Sequence, residues 1–558
     1  MSGGSLAVAL AICHSLRESD AECVFGLPGT QNVALYEALR TSGLRSLVAT
    51  SELSASMMAN GYYRASGRPG ILLTIPGPGF AWALPGIAEA ALDSAAILHI
   101  AGAPATFPGN RYQLQAFDQS AVAAPLYKAV FTAARADEME DAVPRALGCS
   151  MQGEPGPVLL QVAQEGTIRV SPTPPSSAQA SEAARNEGAI EEIAQDLANA
   201  SHCLLLLGQG CQEASESATR LAEHLRAVVV TTTSGRGAVP EDHPLSLGFA
   251  FSGYGVDALN ALVESCDQVL AVGCKFSHNG SRGFRLRIPA HKLVHVDASR
   301  DVLGANYPAR VALQADAAGF LSTLLARIQT AVPQRGFDVD ELARWRERAE
   351  AEKQREGIEP CMRDIGDSRP QAFFFALRQA LSRDAILVTD SGQHQELARR
   401  HFPVWCRRGL ITPTNLQSMG FGIGAAIGAK LAQPQRKVVA LIGDGGLAMS
   451  GLELLAAVRE KMDLTIIVFA DGAYGAIRNQ QRAAYGHAPG SGLPELDCAE
   501  FARAVGARHV RLEGDPEAAL RDAFDVPGVT LIEVRMDDSW PMRWAHAKGV
   551  VKRRLQRG

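Results

Sequence analysis

Short apolar runs rich in β-branched residues, with no polar alternation, punctuate the chain at 23–25, 47–50, 71–75 and 97–100, again at Cys203–Leu207, 228–232, Gln268–Val272 and 293–296, and a third time at Ile386–Thr389, 438–442 and 464–469. A run without alternation predicts a strand buried on both faces. Between these runs apolar residues recur at helical spacing, at 7–16, from Gln31 onward, at 53–66, 88–92 and 370–381. Strands alternating with helices predict an α/β fold of open parallel sheets. Two breaks divide the pattern into three. The stretch 171–188, rich in Ser, Pro, Ala and Glu with no apolar face, reads as a linker, and 338–364 as a charged helical connector. The expected domains are 1–170, 189–330 and 365–540, followed by a basic tail at 541–558.

Candidate chemistry gathers where strands end. The run 438–442 stops at Gly443-Asp444-Gly445-Gly446. Ser450-Gly451-Leu452-Glu453 then carries the reciprocal cap of a helix start. Leu452, Leu455, Ala456 and Val458 continue at helical spacing, and the run 464–469 closes on Asp471-Gly472. Both strands of such a βαβ unit end on one sheet edge, so Asp444 and Asp471 should converge beside a helix amino terminus. Two carboxylates alone repel; Mg²⁺, which commonly uses one or two carboxylates plus a substrate phosphate, would join them. Glu52 likewise stands at a strand end, just before a small-residue helix.

Composition narrows the partners. With 47% hydrophobic and 20% charged residues in 558, the chain reads as a soluble globular protein of several domains. A net charge of −5 gives no bulk electrostatic case for nucleic acid or anionic membrane. Ten cysteines with no C-x-x-C pair, and no basic flank or long apolar segment at the start, point to reduced thiols in a cytoplasmic protein.

Asp444 and the Asp471-Gly472-Ala473 turn, 27 residues apart, resemble the diphosphate-anchoring motif of thiamine-diphosphate enzymes, in their acetolactate synthase-like branch of large catalytic subunits. The segment 49–70 with Glu52, the turn Gly77-Pro78-Gly79, the string Gly392-Gln393-His394-Gln395 and the stretch Ser418-Met419-Gly420 resemble the same family. The resemblance implies a pyrimidine-binding, a central Rossmann-like and a diphosphate-binding domain in that order. It implies Mg²⁺ held by the side chains of Asp444 and Asp471 and the carbonyl of Ala473. Gly443, Gly445, Gly446, Tyr474 and Gly475 would complete the diphosphate motif, with Gly392, Gln393 and His394 against the diphosphate and Met419 beneath the bent cofactor. Gly77 would line the pyrimidine side. Glu52 would hydrogen-bond the aminopyrimidine nitrogen and promote loss of the thiazolium C2 proton, and Gln115 is the second catalytic candidate, matching the glutamine of a Phe-Gln-Glu pattern. The implied reaction decarboxylates a 2-oxo acid and ligates the remainder to an acceptor. The alternatives are a non-oxidative decarboxylase releasing an aldehyde, and a cofactor-binding homologue without catalysis. A homodimer or homotetramer is implied, with Glu52 of one subunit serving the diphosphate held by Asp444 of the partner subunit.

Several positions depart from the pattern. Ala470-Asp471 replaces Asn-Asn and adds a negative charge, so the site should be more acidic. Ser51 replaces a common His, Trp82 a common Asn, and Gln480 a Trp. Lys275-Phe276-Ser277-His278-Asn279 stands where flavin-binding synthases carry Arg-Phe-Asp-Asp-Arg, which puts FAD in doubt. Lys128 falls near a synthase lysine, although an isolated Lys is more often at the surface.

Overall fold

The computed structural model describes residues 3–104, 112–163, 180–249, 255–329, 336–355 and 359–537. Three six-stranded sheets follow one another, and every strand pairing within them is parallel. The first contains β1 (Cys23–Gly26), β2 (Arg45–Val48), β3 (Gly70–Thr74), β4 (Ile97–Gly102), β5 (Ala129–Ala133) and β6 (Pro157–Val162), in the order β2-β1-β3-β4-β6-β5. The second contains β7 (Cys203–Leu207), β8 (Val228–Thr231), β9 (Ser246–Phe249), β10 (Gln268–Val272), β11 (Leu293–Asp297) and β12 (Val311–Gln314). Its order, β9-β8-β7-β10-β11-β12, is the doubly wound dinucleotide-fold arrangement. The third contains β13 (Ile386–Thr389), β14 (Leu410–Ile411), β15 (Val438–Gly443), β16 (Leu464–Ala470), β17 (Arg508–Arg511) and β18 (Val529–Arg535), and its order β14-β13-β15-β16-β18-β17 repeats the topology of the first.

Burial explains which strands the hydrophobic pattern exposes. The central strands β3, β7 and β15 are buried along almost their whole length, as an unalternated run requires. The edge strands β2, β5, β12 and β17 are partly exposed and carry polar residues. Two sequence expectations fail. The helix Ala180–Asn199 begins inside the stretch read as a linker, because its apolar face starts only at Ile190, Ile193 and Leu197. Ser450 and Glu453 do not form a reciprocal cap: the Ser450 hydroxyl donates to the Gly446 carbonyl at 3.1 Å, and Glu453 turns outward to Thr50 of the first domain. The helix starts earlier, at Asp444–Ser450. The basic tail 541–558 lies outside the described residues.

The first and third domains meet through the helices Glu52–Ser66 and Phe421–Ala432. A Cβ on Gly61 would collide with the Ala425 carbonyl, and one on Gly428 with the Met58 carbonyl, so glycine lets the two backbones touch. Across the same junction Glu453 accepts from Thr50 N at 3.0 Å and Thr50 Oγ1 at 2.7 Å, and Glu89 accepts from Ser418 N at 2.9 Å.

Candidate active site

Open parallel sheets bind ligands where strand order reverses, beyond the carboxyl ends of the strands. In the third sheet that point lies between β13 and β15, which deliver Asp390–His394 and Gly443–Gly446 to the same edge. Asp390 fastens the edge together. Fully buried, it accepts N–H groups from Ser391 at 2.7 Å, Gly420 at 3.0 Å and Phe421 at 3.3 Å, and a Cβ on Gly446 would collide with its Oδ2. Burial lifts its carboxyl to about 6, against the pull of those donors.

Asp444 stands above this floor. Its carboxylate accepts N–H groups from Gly445 at 3.0 Å, Asp471 at 3.2 Å and Gly472 at 2.7 Å, which draws the β16 turn onto the β15 turn. Burial raises its pKa. Asp471 is gripped differently. Arg478 Nη2 reaches its Oδ2 at 2.7 Å and Arg478 Nη1 its main-chain oxygen at 3.0 Å, while the Ala473 N–H donates to Oδ1 at 3.3 Å. The negative charge that the sequence adds at 471 is therefore paired with a cation from the next helix, Gly475–Tyr485. The site is less acidic than the substitution alone suggests.

The other diphosphate-side candidates converge here. A Cβ built on Gly445 would lie 2.9 Å from the Tyr474 ring and 3.2 Å from the Met419 methyl. One on Gly475 would collide with Asp471 Oδ2 and lie 3.0 Å from Gln393 Oε1. The His394 ring lies 3.3 Å from the same point on Gly443 and also flanks Gly392. Burial pushes His394 down to about 4, and its Nε2 is buried with no partner. A phosphoryl oxygen would give that orphaned nitrogen one.

These residues fit thiamine diphosphate and Mg²⁺. No group of three His, Cys, Asp or Glu that could form a metal cage occurs among the described residues, but two carboxylates and the Ala473 carbonyl are a hard oxygen set that phosphate oxygens can complete.

Glu52 belongs to a second cluster, on the first sheet. It opens the helix Glu52–Ser66, whose start is capped by Ser51 accepting from Ser54 N at 3.2 Å, so the residue in the place of the common His has a structural task. A Cβ on Gly79 would lie 3.0 Å from Glu52 Oε1. Gln115 packs on Gly77 and accepts from Gln31. Glu52 and Gln115 are placed by neighbours on the first sheet, and Asp444, Asp471 and Met419 by neighbours on the third, so the described candidates fall into two clusters.

Sequence reasoning gave no role to four residues. Gln119 accepts from Gly77 N at 2.9 Å and donates to the Gly102 carbonyl at 3.1 Å, fixing the glycine turn. Tyr36 has a buried hydroxyl without a partner; burial first, and the charge of Glu52 second, push its pKa up. Asp390 and Arg478 are the others. Only Asp390, an acid at a strand end like Asp444, carries a signal the sequence could have yielded. Lys128 has no place in either cluster: its ammonium donates to the carbonyls of Cys149, Gln152 and Glu154 at 2.8, 2.7 and 2.6 Å.

The comparisons agree with this geometry. Three family models match in order: the thiamine pyrophosphate enzyme N-terminal TPP binding domain over residues 6–122, the central domain over 190–324 and the C-terminal TPP binding domain over 390–534. The acetolactate synthase isozyme 1 large subunit of Escherichia coli K12 is 30% identical over 535 residues, covering 94% of this chain and 93% of its own. The probable 2-ketoarginine decarboxylase AruI of Pseudomonas aeruginosa is 30% identical over 550 residues, covering 95% and 94%. The acetolactate synthase large subunit of Lactococcus lactis is 28% identical over 521 residues, covering 90% and 87%. With its two aspartates clasped on one sheet edge and its glutamate on another, the chain belongs to the thiamine pyrophosphate enzyme family.

Proposed function

We propose that this protein is a Mg²⁺- and thiamine-diphosphate-dependent carboligase of the acetolactate synthase type, which decarboxylates a 2-oxo acid and joins the remainder to an acceptor. The observation that carries the reading is the convergence of Asp444, Asp471 and the orphaned His394 Nε2 at the β13/β15 switch point. When bound, the cofactor supplies a nucleophilic carbon and an electron sink for loss of CO₂. Asp444, Asp471 and the Ala473 carbonyl hold the metal; His394 and Gln393 meet the diphosphate; Met419 and Tyr474 close over Gly445 and support the cofactor. Glu52 holds a proton at the pyrimidine nitrogen, and Gln115 borders the space above Gly77.

In this reading the two clusters meet across a pair of copies, each giving one half of a site. Apolar side chains stand exposed beside both, Trp82 and Leu114 near the glutamate, Met449, Leu452 and Ile477 near the aspartates, and burying them in a homodimer or homotetramer would complete the site. Free thiols at all ten cysteines support a cytoplasmic place. A cavity of about 260 Å³ at the β7/β10 switch point is lined by Gln209, Lys275 and Asp297 of the central domain, Ser94 and Glu154 of the first and Asn415 of the third. It suits a nucleotide; a visible flavin band in the purified protein, with FAD recovered from the denatured protein by chromatography, would identify that nucleotide as FAD.

The likeness to a probable 2-ketoarginine decarboxylase favours a second reading, a 2-oxo acid decarboxylase releasing an aldehyde. Incubating the enzyme with pyruvate and a panel of 2-oxo acids, then separating acyloin-type from aldehyde products, decides between them. No CO₂ from any acid would leave only a cofactor-binding homologue.

A further inference from the structure

We infer that Arg478 is a positioning residue that charge-matches Asp471, so that a site with two carboxylates presents to metal and diphosphate the net charge of a site with one. The inference rests on the proposed function above.

The two aspartates are held by unlike means. Asp444 is fixed by three backbone N–H groups, which orient it without cancelling its charge. Asp471 is fixed by a guanidinium that takes one carboxylate oxygen at 2.7 Å and the same residue's carbonyl at 3.0 Å. Both side chains are about nine-tenths buried, 9% and 10% exposed, so water screens the pair little. A carboxylate offers about four lone-pair positions, so Asp471 can serve Arg478 and a metal together. The fork also ties the first turn of the helix Gly475–Tyr485 to the turn that presents the Ala473 carbonyl. Without the cation, Asp444 and Asp471 would cancel the whole charge of a bound Mg²⁺ and leave none for an incoming diphosphate. With it, the three side chains sum to one.

The test titrates thiamine diphosphate calorimetrically at fixed Mg²⁺ into four proteins: wild type, Arg478→Gln, Asp471→Asn, and the double variant. Arg478→Gln should weaken uptake about 10- to 100-fold, the range found for partners of metal ligands. Asp471→Asn alone leaves a surplus cation and a poorer ligand and should also bind more weakly. The double variant, whose charge balance equals wild type, should recover most of the loss seen in Arg478→Gln. If Arg478 merely props the helix, the double variant will bind no better than Arg478→Gln, which overturns the inference while leaving the proposed function standing. Arg478→Lys keeps the charge and loses the fork; affinity between wild type and Arg478→Gln supports charge matching, and affinity equal to Arg478→Gln overturns it. Wild-type protein that takes up no thiamine diphosphate overturns both readings at once.

Discussion

Asp444 and Glu52 do different work, and substitution should separate it. Asp444 shapes the metal site through its own oxygens and by drawing the Asp471 turn inward. Asp444→Ala removes a ligand and that anchor together, so thiamine diphosphate uptake measured by calorimetry should fall by at least about 100-fold. Glu52 touches neither the metal turn nor its supports, so Glu52→Gln should leave uptake nearly intact and lower kcat by about 10²- to 10⁴-fold, as loss of a proton-transferring group does. Uptake lost equally in both variants would contradict this division. The sequence revealed these two because each closes a strand with an acid in a small-residue context. Asp390, which closes β13, carried the same signal and was passed over, whereas Gln119 and Arg478 were concealed, since their tasks arise from contacts with backbone groups or with a turn that only the fold brings near. The substitution at 471 was readable, and so was a helix through Arg478 facing the site; the compensation was not, because helical spacing does not say which carboxylate an arginine reaches.

At the level of elements, the helix Pro78–Leu92 joins the glutamate half to the aspartate half within one chain. Its first turn lies against Glu52, and near its end Glu89 accepts from Ser418 N, one residue before Met419. Glu89 is wholly buried, with Oε1 lacking a partner. Burial first and the charge of Asp93 second lift its carboxyl from 4.5 to about 7. Asp93 itself meets Arg64 at 3.4 Å and the N–H groups of Thr414 and Asn415 at 2.8 and 3.0 Å. A carboxyl whose pKa is higher folded than unfolded costs nothing below the unfolded value and destabilises increasingly as pH rises towards the folded one. Glu89→Gln keeps the acceptor for Ser418 and abolishes the ionisation. Its thermal midpoint should therefore match wild type near about pH 4.5 and exceed it above about pH 7, by at most about 3 kcal/mol of stability. A constant offset across that window would show that Glu89 does not titrate there. Most central strands were legible because burial on both faces leaves an unbroken apolar run; the interior strands β6 and β18 were not, since Gln161 and Glu533 interrupt theirs. Edge strands β5, β12 and β17 were not, since half their side chains meet water, and the expected cap at Ser450 failed because Glu453 serves a contact some 400 residues away, at Thr50.

For the whole molecule, the repeated topology of the first and third sheets gives each chain two binding edges of one kind, and no hydrogen bond connects Glu52 to Asp444 within a chain. A site assembled from two copies has a consequence that a site within one chain lacks. Glu52→Gln and Asp444→Ala should each be inactive alone. When the two variants are unfolded from their oligomers, mixed and reassociated, the hybrid dimer holds one site with both lesions and one with neither. Random pairing makes half of the dimers hybrid, each with one intact site of two, so activity should return to about a quarter of wild type. Mixtures that stay inactive, while size measurements show that hybrid dimers have formed, would place Glu52 and Asp444 of the same chain in one site. The exposed Trp82, Leu452 and Ile477 allow a second test of the proposed assembly. Replacing Leu452 with Glu should shift the protein towards monomer on a sizing column and lower activity in step, because a carboxylate buried at an interface without a partner is strongly disfavoured.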